Sequence, residues 1–446
     1  MTIRHHFSRV GQNTGVLFLV NVTGSVIGFL MAAALGRGLG DAGFGQYSFA
    51  MTWLLSLALF TEFGLSTVLT RDLAAWPGQT QSYLTNSLAA KFLLSLPVAL
   101  LLLFFTPTIT PGQNPEVIAA LWWGIIFFYS GLVYSSFTAV FRAYQIMTPI
   151  LWLTLIGQIV LFIGTLPLLL TYQALWTIIA WAGFSQSLQC GMAFIFYQKD
   201  IRPENPNYRS EKVYFFTPVI QNSDIINANQ IKKLILKAWP FALAGFLAAL
   251  QLRANILILA YLAGDQALGW YSAANRFVET GKQLPGAFYA AIFPALAAMV
   301  GNIGQQEQLQ TTMRQARLGL LAFAVIAAMG ALWLAQPILT LTYGSAYQPA
   351  TLTLQILTLT LIPAMQNSML IIFLYARNDE KHVNLLMAVG IAVNLSLCFW
   401  LIPRWGPAGT ALALLVAESL LYFPYWYRVR KISTFEIESL RIGQEN

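Results

Sequence analysis

Long apolar stretches alternate with short polar breaks along almost the whole chain. Twelve are long enough to cross a membrane, at about 14–36, 43–66, 84–106, 116–141, 149–171, 174–197, 238–262, 267–300, 318–336, 349–375, 383–403 and 406–427. A helix rises about 1.5 Å per residue, so roughly 20 mostly apolar residues span the hydrocarbon core. The first run is too long for the core of a signal peptide. No small-residue cleavage site followed by a polar mature domain accompanies it, so it reads as the first span. The run at 267–300 has room for turns outside the membrane. The pattern predicts an all-α integral membrane protein with about 12 transmembrane helices.

Composition strengthens this reading. Of 446 residues, 57% are apolar and 9% charged, against roughly 25% charged in soluble domains. Cys190 and Cys398 fall in apolar runs, which predicts neither a disulfide framework nor thiol chemistry. His5, His6 and His382 lie in polar termini or loops. There is no HExxH, CxxC or GxxxxGK[ST] pattern, so neither a metal site nor a cofactor is expected, nor ATP hydrolysis by a phosphate-binding loop.

The basic residues set an orientation. With Arg4 and Arg9 in the cytosol, 19 of the 25 lysines and arginines fall in inward segments, and only Arg37 and Arg404 in outward loops. By the positive-inside rule, both termini are expected to be cytosolic in a cell inner (plasma) membrane. Topology therefore explains most of the +8 net charge, and no nucleic-acid partner is expected. Four basic residues remain, Lys91, Arg253, Arg276 and Lys282, and all lie within spans.

The chain also repeats itself. Residues 40–50 read "GDAGFGQYSFA" and residues 264–274 read "GDQALGWYSAA". Gly40, Asp41, Gly45, Tyr47, Ser48 and Ala50 recur at a constant offset of 224. Each copy lies between the first and second span of a six-span half, so both halves share one orientation and a symmetry axis along the membrane normal. The expected organisation is an N-terminal six-helix bundle (1–197), a cytosolic linker (198–237), a C-terminal bundle (238–427) and a cytosolic tail (428–446). The linker is charged, rich in asparagine and contains Pro203, Pro206 and Pro218.

Six segments carry a family resemblance: "ALGRGLGDAGFGQYSFA" (34–50), "EFGLSTVLTRDLA" (62–74), "AGDQALGWYSAANRFVE" (263–279), "IFPALA" (292–297), "TYGSAYQPA" (342–350) and "LIPRWGPAGTALA" (401–413). The chain resembles the Wzx-type polysaccharide-biosynthesis flippases of the multidrug, oligosaccharidyl-lipid and polysaccharide exporter superfamily. The resemblance implies two pseudo-symmetric six-helix bundles around a central cavity. It also implies a cationic cavity that binds a polyprenyl-diphosphate-linked oligosaccharide and moves it across the bilayer. Membrane lipids and other polysaccharide-assembly proteins are the further partners it suggests. The family often has an acidic or small polar residue near the middle of the seventh helix, where this chain carries Gln251, Arg253 and Asn255.

The repeat sharpens the site. At an offset of 224, Arg253 corresponds to Phe29, Arg276 to Thr52, Glu279 to Leu55 and Lys282 to Ala58. The scaffold is duplicated but the charges are not, which favours function over architecture. Arginine in mid-membrane is disfavoured by roughly 2.5–3.5 kcal/mol on insertion scales and usually faces water. Arg253, Arg276 and Lys282, with Gln251 and Asn255, are therefore the candidate diphosphate-binding residues. Structural alternatives stand beside this. Arg253 could pair with Glu62 or Glu279. Arg276, Glu279 and Lys282 could form an ion-pair ladder on one helix face. Lys91 is expected to snorkel along its helix. Arg37 could bind headgroups at the outer mouth or cap a helix. Glu62, Glu279 and Glu418 are candidate coupling or ion-pair carboxylates. The aromatic runs at 121–129 and 423–430 suit interfacial belts or bundle packing.

The expected function is export by alternating access, with no enzymatic activity. Two alternatives differ in what they require. A membrane glycan polymerase or ligase needs a sizeable outward loop or an acidic pair, whereas the loops at 107–115 and 337–348 are short and Glu116 is the one carboxylate at their edges. A cation-coupled drug exporter of the same superfamily should line its cavity with acids, not arginines.

Overall fold

The structure, a computed structural model, describes residues 2–171, 174–201, 226–300 and 303–445, and the described residues are helical almost throughout. Most of the expected linker, residues 202–225, lies outside the described residues. The helices are α1 (Thr2–Glu62), α2 (Leu65–Ala75), α3 (Thr80–Ile109), α4 (Pro115–Ala143), α5 (Thr148–Thr171), α6 (Leu175–Asp200), α7 (Ala228–Gly281), α8 (Gln283–Val300), α9 (Gln306–Tyr343), α10 (Thr351–Leu359), α11 (Leu361–Ala376) and α12 (Glu380–Glu445).

Among the described residues, nine helical segments are long and apolar enough to cross a membrane. Two hold two spans each. The 61 residues of α1 would extend roughly 90 Å if straight, about three bilayer cores, but Gly40 breaks the helix with φ 71° and ψ −177°. In α12, Gly406 does the same with φ 52° and ψ −128°. The α7–α8 segment supplies a further span after its own break at Gly264, with φ 80° and ψ −179°. Twelve spans result. Positive φ is readily available only to glycine, and Gly40 and Gly264, the repeat partners, adopt nearly the same torsions.

The distortion between α7 and α8 falls at Lys282. The flanking bonds persist, from Lys282 N to Val278 O and from Gly286 N to Lys282 O, both at 3.0 Å. Pro285 follows and has no N–H to return to the preceding turn, the usual cause of a kink.

The chain forms two compact units, Met1–Leu39 with Gln46–Arg253, and Gly40–Gly45 with Ala254–Asn446. In the first unit, Leu69, Leu73, Phe137, Val140, Phe141, Ile150 and Leu153 form a buried cluster. A second cluster joins Leu65, Val68 and Ala90 to Leu234 and Ala238 of α7. Gly64, with φ 71°, permits this docking, because a Cβ there would lie 2.6 Å from the Phe241 Cβ and 3.1 Å from the Ala238 carbonyl oxygen. Polar contacts fix the register: Lys237 meets Asp72 at 2.8 Å, and buried Asn86 donates to Gln230 at 2.9 Å. In the second unit, Leu370, Leu374, Val383 and Tyr425 pack α11 against α12.

The repeated turns meet within the second unit. A Cβ on Gly45 would lie 1.8 Å from the Asp265 carbonyl oxygen, and one on Gly269 would lie 1.9 Å from the Asp41 carbonyl oxygen. Each turn presses its glycine onto the other's aspartate backbone, the reciprocal pattern of a two-fold contact. Asp41 Oδ1 accepts from the next amide, Ala42 N, at 2.8 Å. Its other oxygen accepts from Gln266 Nε2 at 2.8 Å and Trp270 Nε1 at 3.0 Å. The Tyr347 hydroxyl donates to the Gly40 carbonyl at 3.0 Å.

Candidate functional site

The charges inside spans fall into separate groups. Lys91 does not snorkel. It is fully buried in α3 and meets Glu62 of α1 at 2.7 Å. Its ammonium also donates to Ser66 Oγ at 2.9 Å and Ser135 Oγ at 2.8 Å, which uses all three N–H groups. Ser135 Oγ donates to Glu62 Oε2 at 2.9 Å and Ser66 N to Glu62 Oε1 at 3.0 Å. Snorkelling fails as an account because polar partners surround the ammonium inside the first unit, so it need not reach the interface.

Arg253 lies on α7 and is half-buried, as is Gln251. Asn255, two residues on, is buried, and its Oδ1 accepts from Asn394 Nδ2 at 2.6 Å and from the Cys398 thiol at 3.6 Å. Asn255 therefore ties α7 to α12. Farther along α7, Arg276 meets Glu279 at 3.5 Å across one turn. Asn275 Nδ2 donates to the other Glu279 oxygen at 2.9 Å. Lys282 is exposed at the α7–α8 distortion and Arg37 is exposed on α1 near the Gly40 break. Glu418 is half-buried, and its Oε2 accepts from Asn367 Nδ2 at 2.8 Å.

A further polar group had no signature in the apolar pattern. Arg317 of α9 donates to Gln366 Oε1 at 3.0 Å and to the Tyr422 hydroxyl at 2.9 Å, with its guanidinium over the Tyr422 ring. It ties α9, α11 and α12 together. Asn394, an asparagine inside the apolar run 383–403, is legible only as a break in that run. Gln251, Arg253, Asn275 and Arg276 are half-buried, and Glu279 and Lys282 are exposed.

The comparisons with known proteins match this architecture. The polysaccharide biosynthesis protein family model matches residues 10–300, and the lipid II flippase MurJ family model matches residues 212–442. A putative O-antigen transporter of Escherichia coli (strain K12) is 21% identical over 93% of this chain and 95% of its own length. A putative O-antigen transporter of Shigella dysenteriae is 25% identical over 43% of this chain, which spans about half (48%) of that relative's length. A solved structure of the lipid II flippase MurJ in an inward closed conformation superposes with a TM-score of 0.74 at 15% identity, over 96% of this chain and 92% of that one. This multi-pass membrane chain belongs to the polysaccharide biosynthesis protein family, the Wzx-type branch of the multidrug, oligosaccharidyl-lipid and polysaccharide exporter superfamily.

Proposed function

We propose that the protein moves a polyprenyl-diphosphate-linked oligosaccharide from the inner to the outer leaflet by alternating access, for surface polysaccharide synthesis. The observation that carries this reading is the placement of Arg253, Arg276 and Lys282 in the second repeat, where the first has Phe29, Thr52 and Ala58, on a scaffold whose relatives are transporters and flippases. Arg253 is the principal diphosphate ligand. Its planar guanidinium offers paired donors to phosphate oxygens and stays charged at any working pH. Lys282 adds a mobile charge, and Arg276 a weaker one because Glu279 shares it. Gln251 supplies an amide on the same helix, and Asn255 fixes α7 through Asn394. Glu62, Glu279 and Glu418 are the carboxylates from which a coupling group would be drawn, and Arg37 attracts headgroups at the outer end of the first span.

The protein acts in the cell inner membrane with both termini cytosolic. Residues 1–197 and 238–427 serve as the two rocking bundles, joined by the 198–237 linker, and no chemical step is assigned to the chain. Other polysaccharide-assembly proteins are its candidate partners.

The test pairs surface-glycan export in cells with binding of a diphosphate-linked lipid to purified protein. Arg253→Lys keeps the charge but loses the fork, so it should retain partial activity. Arg253→Ala should lose most binding, and Arg253→Glu more. All three should insert and express normally. Unimpaired binding and export by Arg253→Ala would remove the reading.

A further inference from the structure

Asn275, Arg276 and Glu279 form a compact array on one face of α7. Glu279 Oε1 accepts from Asn275 Nδ2 at 2.9 Å, and Glu279 Oε2 faces the Arg276 guanidinium at 3.5 Å. Glu279 stays half-exposed, with its side chain at 50%. A second observation points inward. The Arg276 Nε is buried with no hydrogen-bond partner among the described residues, and so is the hydroxyl of Tyr343, a residue only 2% exposed. Phe277 packs edge-on against the Tyr343 ring at 5.9 Å.

This array suits a sugar better than phosphate, to which Arg276 lends only the charge that Glu279 leaves it. Phosphate oxygens only accept, and a carboxylate at the centre of the group repels them. A sugar hydroxyl both donates and accepts. Glu279 offers free acceptor capacity, Asn275 an amide with both roles, and Arg276 unused donor capacity. Adjacent ring hydroxyls therefore find a complementary set, in which Asn275 and Arg276 both contact Glu279. The repeat makes the same point. The equivalent positions in the first half are Met51, Thr52 and Leu55, so the turn needs none of these groups to fold.

We infer that Asn275, Arg276 and Glu279 form a glycan subsite that reads neutral hydroxyl groups of the transported sugar, separate in role from the diphosphate ligand Arg253. The inference rests on the flippase reading above. It makes the array a determinant of which glycan is carried, and it assigns Glu279 to hydroxyl recognition in preference to ion coupling.

The experiment measures binding to the purified full-length protein of two probes. One is lipid-linked oligosaccharide extracted from the producing cells, and the other is the same lipid after chemical removal of its sugar. Losing one hydrogen bond to substrate costs about tenfold in affinity. Asn275→Ala should bind the glycan-bearing lipid about tenfold more weakly and the sugar-free diphosphate unchanged. Glu279→Gln should weaken the glycan-bearing lipid by a similar factor while leaving the sugar-free diphosphate equal or tighter, because Arg276 loses its counter-charge. A merely structural role would weaken both probes together, with a lower unfolding temperature. Equal effects on the two probes, or no effect on either, would overturn the subsite. Wild-type protein that binds neither probe would instead remove the flippase reading, a separate outcome visible before any variant is made.

Discussion

Lys91 and Glu62 form an ion pair 2.7 Å long between α3 and α1, with the lysine entirely enclosed and two serines completing its shell. The pair ties the end of the second span to the third. Removing one member strands the other charge in a low-dielectric interior, which costs roughly 3–5 kcal/mol, whereas replacing both by apolar groups is often neutral. Lys91→Met alone should therefore lower the unfolding temperature in detergent sharply. Combining Lys91→Met with Glu62→Leu should recover most of the loss. If the double variant is as unstable as the single one, the pair is not the source of the stability.

The reciprocal glycines make a sharper claim. At Gly45 and Gly269 an added methyl meets a backbone carbonyl oxygen at under 2 Å, and backbone cannot step aside as a flexible side chain can. Overpacking of this kind costs about 1–3 kcal/mol. Gly45→Ala and Gly269→Ala should each destabilise by that order. Gly319→Ala, where the space is open, should be harmless or slightly stabilising. Thermal unfolding of the three variants side by side decides the matter. Tolerance at both repeat positions would mean the turns do not touch as described.

At one polar end of the second unit, Arg428 grips Asp379 with Nε to Oδ2 at 2.7 Å and Nη2 to Oδ1 at 3.2 Å, and His382 shares the same carboxylate. The Arg428 hydrogen bond is the main force holding the Asp379 carboxyl below its ordinary value of 3.8, against a smaller upward push from burial and with help from His382. The sign follows. The unfolded chain binds the proton more readily, so the contribution is complete above the unfolded value and fades as pH falls through the depressed one. The stability gap between wild type and Arg428→Met should be constant from neutral pH down to about pH 5 and should narrow below about pH 4. A gap that widens on acidification would contradict this assignment.

Much of the architecture was legible because the bilayer imposes it. Span length and the 224-residue offset were both written in local composition, and Gly40 and Gly264 carried the breaks openly. The polar contacts were not legible. Lys91 finds Ser135 44 residues away, and Asn255 finds Asn394 139 residues away. No local pattern records such a meeting, so Lys91 looked like a lone charge that would reach for the interface. The grouping of α7 was also hidden. Its first half from Ala228 to Arg253 belongs with the first unit, since Leu234, Ala238 and Lys237 have partners on α2 and α3 that hydropathy cannot reveal. The candidate site lay between these extremes. The sequence exposed Arg276 and Glu279 as neighbours on a helix, but not the bond from Asn275 or the orphaned Tyr343 hydroxyl.

The crossing of the two turns also governs how the halves could diverge. Each turn is the mould in which the other sits, so residue 45 is confined by the backbone at 265, and residue 269 by the backbone at 41. Drift in one copy is checked by the other, and the pair is held to glycine as if still a single gene. Positions outside the crossing carry no such tether. Phe29 and Arg253, or Leu55 and Glu279, were free to part, and chemistry could settle on one half while the joint between the copies stayed as it was.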